Sequence, residues 1–72
     1  MRKTSSARKW GVTDDAMDHA LRNFVRYFLD QGEVTMFVGP AQDGTMLEVG
    51  VVEDPEDPRI IHAMPARAKY WP

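Results

Sequence analysis

The stretch Thr13-Asp-Asp-Ala-Met-Asp-His-Ala-Leu-Arg-Asn-Phe-Val-Arg-Tyr-Phe-Leu29 decides how the rest of the chain is read. Met17, Ala20, Leu21, Phe24, Val25 and Phe28 recur at the 3.6-residue period, which predicts one helix from Thr13 to Leu29 with a single buried stripe. Thr13 suits the N-cap, and Asp14 and Asp15 put negative charge in the first turn, where the helix dipole favours it. Val12 and Met17 have the spacing of a hydrophobic staple. Asp30-Gln31-Gly32 closes the helix, with Gly32 fit for a left-handed position after its last turn.

Three strands are expected downstream. Glu33 to Val38 carries apolar residues on both faces. The next stretch, 39–45, holds Gly-Pro and Asp-Gly turn signals and forms a hairpin loop. Met46 to Val52 alternates, with Leu47, Val49 and Val51 on one face and Met46, Glu48 and Gly50 on the other. The loop 53–58 is acidic and carries two prolines, so it cannot join a ladder. Arg59 to Met64 is the third strand, and Pro65 ends it. The expected fold class is α+β, one N-terminal helix packed on a three-stranded antiparallel β-meander in the order α-β-β-β. One helix covers one face of such a sheet. Phe37, Met46, Ile60 or Ile61, and Trp71 on the other face need cover from the chain ends or from a second molecule.

The 72 residues make a single small domain, with residues 1–10 expected to be a flexible basic segment. An apolar share of 43% with 28% charged residues is that of a folded chain. With no cysteine, disulfides and thiolate zinc sites are excluded. No apolar run approaches the ~20 residues of a membrane span, so a cytoplasmic protein without membrane contact is expected. The net charge of −2 hides a segregation: residues 1–12 and 59–72 hold cations and no acid, and all eleven acids lie between them. Basic ends that meet form one cationic patch for a phosphate-bearing ligand; basic ends that do not are solvated tails.

Most catalytic constellations are missing. Gly39, Gly44 and Gly50 do not form a phosphate loop, and serine is confined to Ser5 and Ser6. The acidic loop lacks the alternation of a calcium loop, and two histidines make no paired zinc motif, so no metal or cofactor is expected. His19, Arg22 and Arg26 fall opposite the apolar stripe, four residues from Asp15, Asp18 and Asp30, and read as a solvated face of weak ion pairs.

The richest segment is Arg59-Ile-Ile-His-Ala-Met-Pro-Ala-Arg-Ala-Lys-Tyr-Trp71. Cleavage of RNA by its own 2′-hydroxyl needs a base, an acid and cations to hold the phosphorane. His62, Arg59 and Tyr70 are the catalytic candidates. Arg8, Lys9, Arg67 and Lys69, with Trp71 as a stacking platform, are the candidates for RNA binding. The same residues read equally as a half-buried strand histidine with aromatics that close the core.

Residues 59–71, together with the opening Ser5-Ser-Ala-Arg-Lys-Trp-Gly-Val-Thr13 and the start of the helix, resemble small bacterial toxins of the BrnT type and the related domains placed near the RelE superfamily. The resemblance implies the toxin of a type II toxin–antitoxin pair, an mRNA endoribonuclease silenced by a cognate antitoxin. It puts Arg59 and Arg67 on basic positions of the family, His62 on its strand position, Lys69-Tyr70 on its tail, and Arg8-Lys9 before the helix. The chain departs from the pattern in carrying Ser6-Ala7 where many relatives have His-Ala, in being expected to lack the extra strand and C-terminal helix of fuller toxins, and in its acidic balance. The alternative is a non-enzymatic protein-interaction module that forms a homodimer or binds a partner through the uncovered sheet face.

Overall fold

The computed structural model describes residues 1–71. In chain order the elements are β1 (Arg2–Lys3), a 3₁₀ turn (Ser6–Arg8), α1 (Asp14–Arg22), β2 (Arg26–Leu29), β3 (Val34–Pro40), β4 (Met46–Val52) and β5 (Arg59–Pro65). The strands form one five-stranded sheet in the order β1-β5-β4-β3-β2. All neighbours are antiparallel except β1 and β5. The α+β class and the helix on the sheet are as the sequence predicts, and β3-β4-β5 is the expected meander. The count of three strands is wrong, because a strand is added at each edge.

The larger error lies in the opening stretch. Thr13 caps α1 as expected, its hydroxyl accepting from the Ala16 N–H at 3.1 Å. The helix stops at Arg22, where Asn23 turns both its backbone N–H and its side-chain amide onto the His19 carbonyl (3.1 and 2.9 Å). Beyond it, Phe24-Val25-Arg26-Tyr27-Phe28 is rich in residues that favour strands. Pairing β2 with the otherwise open side of β3 satisfies backbone groups that a longer helix would leave to water. Gly32 does adopt a left-handed φ of 69°, but in the β2–β3 turn and not at a helix end. The Asp-Gln-Gly signal is the same in both settings.

The sheet has two covered faces. On the helix side, Met17 and Ala20 pack with Leu47, Val49, Val51, Ile60 and Ala63. A bulge opposite Gly50 and Val51 lets Ile60 and Ala63 both face this core. The segment 1–10, read from the sequence as a flexible tail, lies along β5. The Thr4 N–H and the Ser6 hydroxyl donate to the Ile60 and Ile61 carbonyls (3.0 and 2.7 Å), and Ala7 is fully buried. The other face, carrying Phe28, Met36, Val38, Glu48 and His62, is covered by the chain's own residues 66–71. No helix is long and apolar enough to cross a membrane.

The helix can approach the sheet only at a residue without a side chain. A Cβ on Gly39 would lie 2.3 Å from the Ala20 carbonyl oxygen and 2.9 Å from the Phe24 Cα. Both obstacles are backbone, so neither can swing aside. Gly39→Ala is expected to lower stability by about 2–3 kcal/mol, as overpacking of this kind does, read as a lower urea midpoint with an unchanged slope. Wild-type stability in that variant would show that α1 does not press on β3.

Candidate functional site

Glu48 sits at the centre of β4, completely buried on the tail side of the sheet. Arg67 grips it with the side chain and the backbone: Nη2 donates to Oε2 (2.7 Å), Nε to Oε1 (3.0 Å), and the backbone N–H to Oε1 (2.9 Å). His62 on β5 approaches from the other side, with Nε2 2.9 Å from Oε2. A charge this deep is tolerated only when paired and saturated with hydrogen bonds. Burial pushes the Glu48 carboxyl up, and the Arg67 and His62 hydrogen bonds with the Arg67 charge outweigh it, so the carboxyl lies below the usual range.

The grip on Arg67 folds the tail over the sheet. Tyr70 then stacks near Phe28, ring centres 5.5 Å apart, and the Arg26 guanidinium lies 4.9 Å over the Trp71 ring. Between tail and sheet is a concavity of about 370 Å³ lined by Asp30, Ile61, His62, Arg67, Lys69 and Tyr70, among others. Four of the residues singled out from the sequence therefore share one site: His62, Arg67, Lys69 and Tyr70. Trp71 borders it through Arg26.

The remaining candidates lie elsewhere. Arg59 is engaged by the acidic loop, its Nη1 3.6 Å from Asp57 and 3.9 Å from Asp54. Arg8 makes a two-pronged pair with Asp14 on the helix (2.8 and 3.0 Å), and Lys9 lies 5.7 Å from the Trp10 ring. The two basic ends meet where β1 pairs with β5, Arg2 opposite Arg59, but there both cations converge on Asp57. Arg2 and Lys3 are also paired, with Asp57 (2.6 Å) and Asp18 (2.8 Å). The acids of the middle segment thus neutralise the cations of the ends. His19 is not on a solvated face either; its Nδ1 meets the Pro40 carbonyl at 2.7 Å. Among the described residues no cluster of three or more His, Asp or Glu side chains is placed to hold a metal ion.

A second surface lies on the helix side, beyond the end of α1. Phe24, Tyr27 and Phe37 form an aromatic cluster, with Phe24 and Phe37 edge-to-face at 5.0 Å. It opens into a groove of about 410 Å³ between Leu21, Phe24, Phe37, Val51 and the acidic loop. Tyr27 and Leu29 continue it to the sheet edge, 58% and 82% exposed. The helix predicted through Leu29 puts Phe24 in a buried stripe and so misses this surface. Sequence reasoning also gave Glu48 no role, because an acid alternating with Leu47 and Val49 on a strand has the spacing of an ordinary solvent-facing residue.

Comparison with protein-family models, curated proteins and solved structures finds no match, so the resemblance to BrnT-type toxins rests on the quoted residues alone.

The site generates two predictions. Arg67→Ala leaves a buried carboxylate with His62 as its remaining side-chain partner and is expected to cost about 3–5 kcal/mol. Glu48→Gln leaves a half-exposed guanidinium that water can solvate, and is expected to cost less, about 1–3 kcal/mol. Urea unfolding of the two variants checks the order; equal losses would mean that the carboxylate is not the costly partner. Because the Glu48 pKa is depressed on folding, its stabilisation is present above the usual glutamate value of about 4.3 and disappears as pH falls through the lower native value. Stability measured across that acid window should fall less steeply in Glu48→Gln than in the wild type.

Proposed function

We propose that this protein is a protein-interaction module whose partner docks on the helix-side aromatic groove and the adjoining edge of β2. The observation that carries this reading is an edge strand, Arg26-Tyr-Phe-Leu29, exposed at every position and set beside that groove. Folded proteins blunt such edges with charge, proline or very short strands. At the opposite edge, β1 is two residues long and both are cations. β2 is twice as long, and three of its four exposed residues, Tyr27, Phe28 and Leu29, are large and hydrophobic. The basic termini meanwhile act within the fold, since Arg2, Lys3, Arg8, Arg59 and Arg67 each face an acid.

A photo-reactive residue at Tyr27 tests this reading in cells, with Gln42 in the distant β3–β4 loop as control. A discrete adduct is expected at position 27 and not at 42, lost when Leu29→Glu is added to the same chain. No adduct above the level at position 42 would overturn it.

The tail-side concavity favours a second reading, the toxin-like RNA-binding or RNA-cleaving domain of a type II toxin–antitoxin pair. Glu48 on Nε2 fixes the His62 ring and leaves Nδ1 to exchange a proton, with Lys69 and Tyr70 beside it for a phosphate. Under this reading, expressing the chain alone in a bacterium arrests growth and degrades mRNA, and His62→Ala abolishes both. Unchanged growth at high soluble expression would reject it.

A further inference from the structure

We infer that the partner at the β2 edge is a second copy of this chain, joined by antiparallel pairing of β2 with β2 about a two-fold axis at Phe28. The inference rests on the interaction-module reading and names its partner. Three observations converge on it.

The first is which backbone groups are free. The Asp30 N–H is donated to the Val34 carbonyl (2.9 Å), and Arg26 and Phe28 lie in the same phase, opposite Val38 and Met36. In an antiparallel ladder these alternate residues turn their polar groups toward β3, and those between turn them outward. Tyr27 and Leu29 therefore present unpaired N–H and C=O groups at the open edge. Their spacing matches the hydrogen-bonding pattern of a further antiparallel strand.

The second is charge. Hydrogen bonding through Tyr27 and Leu29 allows three centred self-pairings: Tyr27 opposite Tyr27, Tyr27 opposite Leu29, or Leu29 opposite Leu29. The first sets Arg26 against the partner's Phe28, and the third sets Asp30 against it. The middle register alone sets Arg26 of each copy opposite the partner's Asp30, twice by symmetry. Neither residue has a salt-bridge partner in its own chain among the described residues. β2 is thus complementary to itself, as an isologous interface requires.

The third is continuity of the apolar surface. In the middle register Phe28 faces the partner's Phe28 on the tail side, and Tyr27 faces the partner's Leu29 on the helix side. The exposed side chains of β2 become cross-strand pairs, the unit of sheet stabilisation. The aromatic cluster of Phe24, Tyr27 and Phe37 then runs across the axis into its copy, and two five-stranded sheets become one.

Sedimentation equilibrium of the full chain tests this by a charge swap. The wild type is expected at twice the 8.2 kDa chain mass. Arg26→Asp alone and Asp30→Arg alone each place two like-charged pairs across the axis. Each should weaken dimerisation on the order of 10- to 100-fold, while far-UV circular dichroism stays native. The double variant Arg26→Asp with Asp30→Arg should recover the dimer, and an equimolar mixture of the two single variants should form a heterodimer. Dimers of the single variants should strengthen as salt rises, because the repulsion is screened. A wild type that stays monomeric at high micromolar concentration overturns the inference. So does a dimer indifferent to both reversals, which would lie elsewhere on the surface. If the wild type is monomeric while the Tyr27 probe still captures another protein, the second copy is excluded and the interaction-module reading stands. If the probe captures nothing as well, both fail.

Discussion

A carboxylate buried between two strands of a 72-residue protein organises everything on one side of its sheet. Glu48 cannot be hydrated, so it must be answered by fixed donors, and those donors come from β5 and from the tail beyond it. A chain this short buries only about 60% of its unfolded surface and has little apolar material to spare. Holding Arg67 against Glu48 brings Tyr70 beside Phe28 and Trp71 beneath the Arg26 guanidinium, and so gives the sheet a second covered face without a second helix. The covering is electrostatic at its root and aromatic at its rim. Its position, ordering and acid sensitivity all follow from one side chain.

The opposite face has the reverse problem. α1 is nine residues long and supplies only two fully buried side chains, Met17 and Ala20. It needs Gly39 beneath it to sit close enough for them to reach the core. Where it ends, the sheet continues, and Phe24, Tyr27 and Leu29 are left in the open. Exposed aromatics beside an unblunted edge are a liability in solution unless a partner covers them. The chain guards its other edge with Arg2 and Lys3 but leaves this one bare, which is why the edge of β2 and not the basic termini carries the functional reading.

The charge segregation has a structural use that changes its functional meaning. Cations at both ends and acids in the middle are what is needed to staple the ends to the middle. Arg2 to Asp57, Lys3 to Asp18, Arg8 to Asp14 and Arg67 to Glu48 each join residues that lie apart in the chain. Two of these pairs, Arg2 with Asp57 and Arg8 with Asp14, are exposed and worth little singly. The four pairs nonetheless set Arg2, Lys3, Arg8 and Arg67 against acids, while Lys69 at the tail-side concavity has no salt-bridge partner among the described residues.

The sequence by itself determined the elements whose signals are local. Thr13 and the acids after it start a helix by capping and dipole, alternation with turn residues sets β3, β4 and β5, and the grouping of His62, Arg67, Lys69 and Tyr70 follows from their closeness along the chain. Only the tertiary structure decided the end of the helix. The residues from Phe24 to Phe28 fit a helical stripe and a strand equally, and the open side of β3 settled the matter by offering backbone partners. It alone placed β1, because two basic residues carry no periodicity to read. It alone gave Glu48 its role and paired the cations of the two ends with acids, since ion pairs between distant residues depend on which side chains the fold brings together and leave no mark in local spacing.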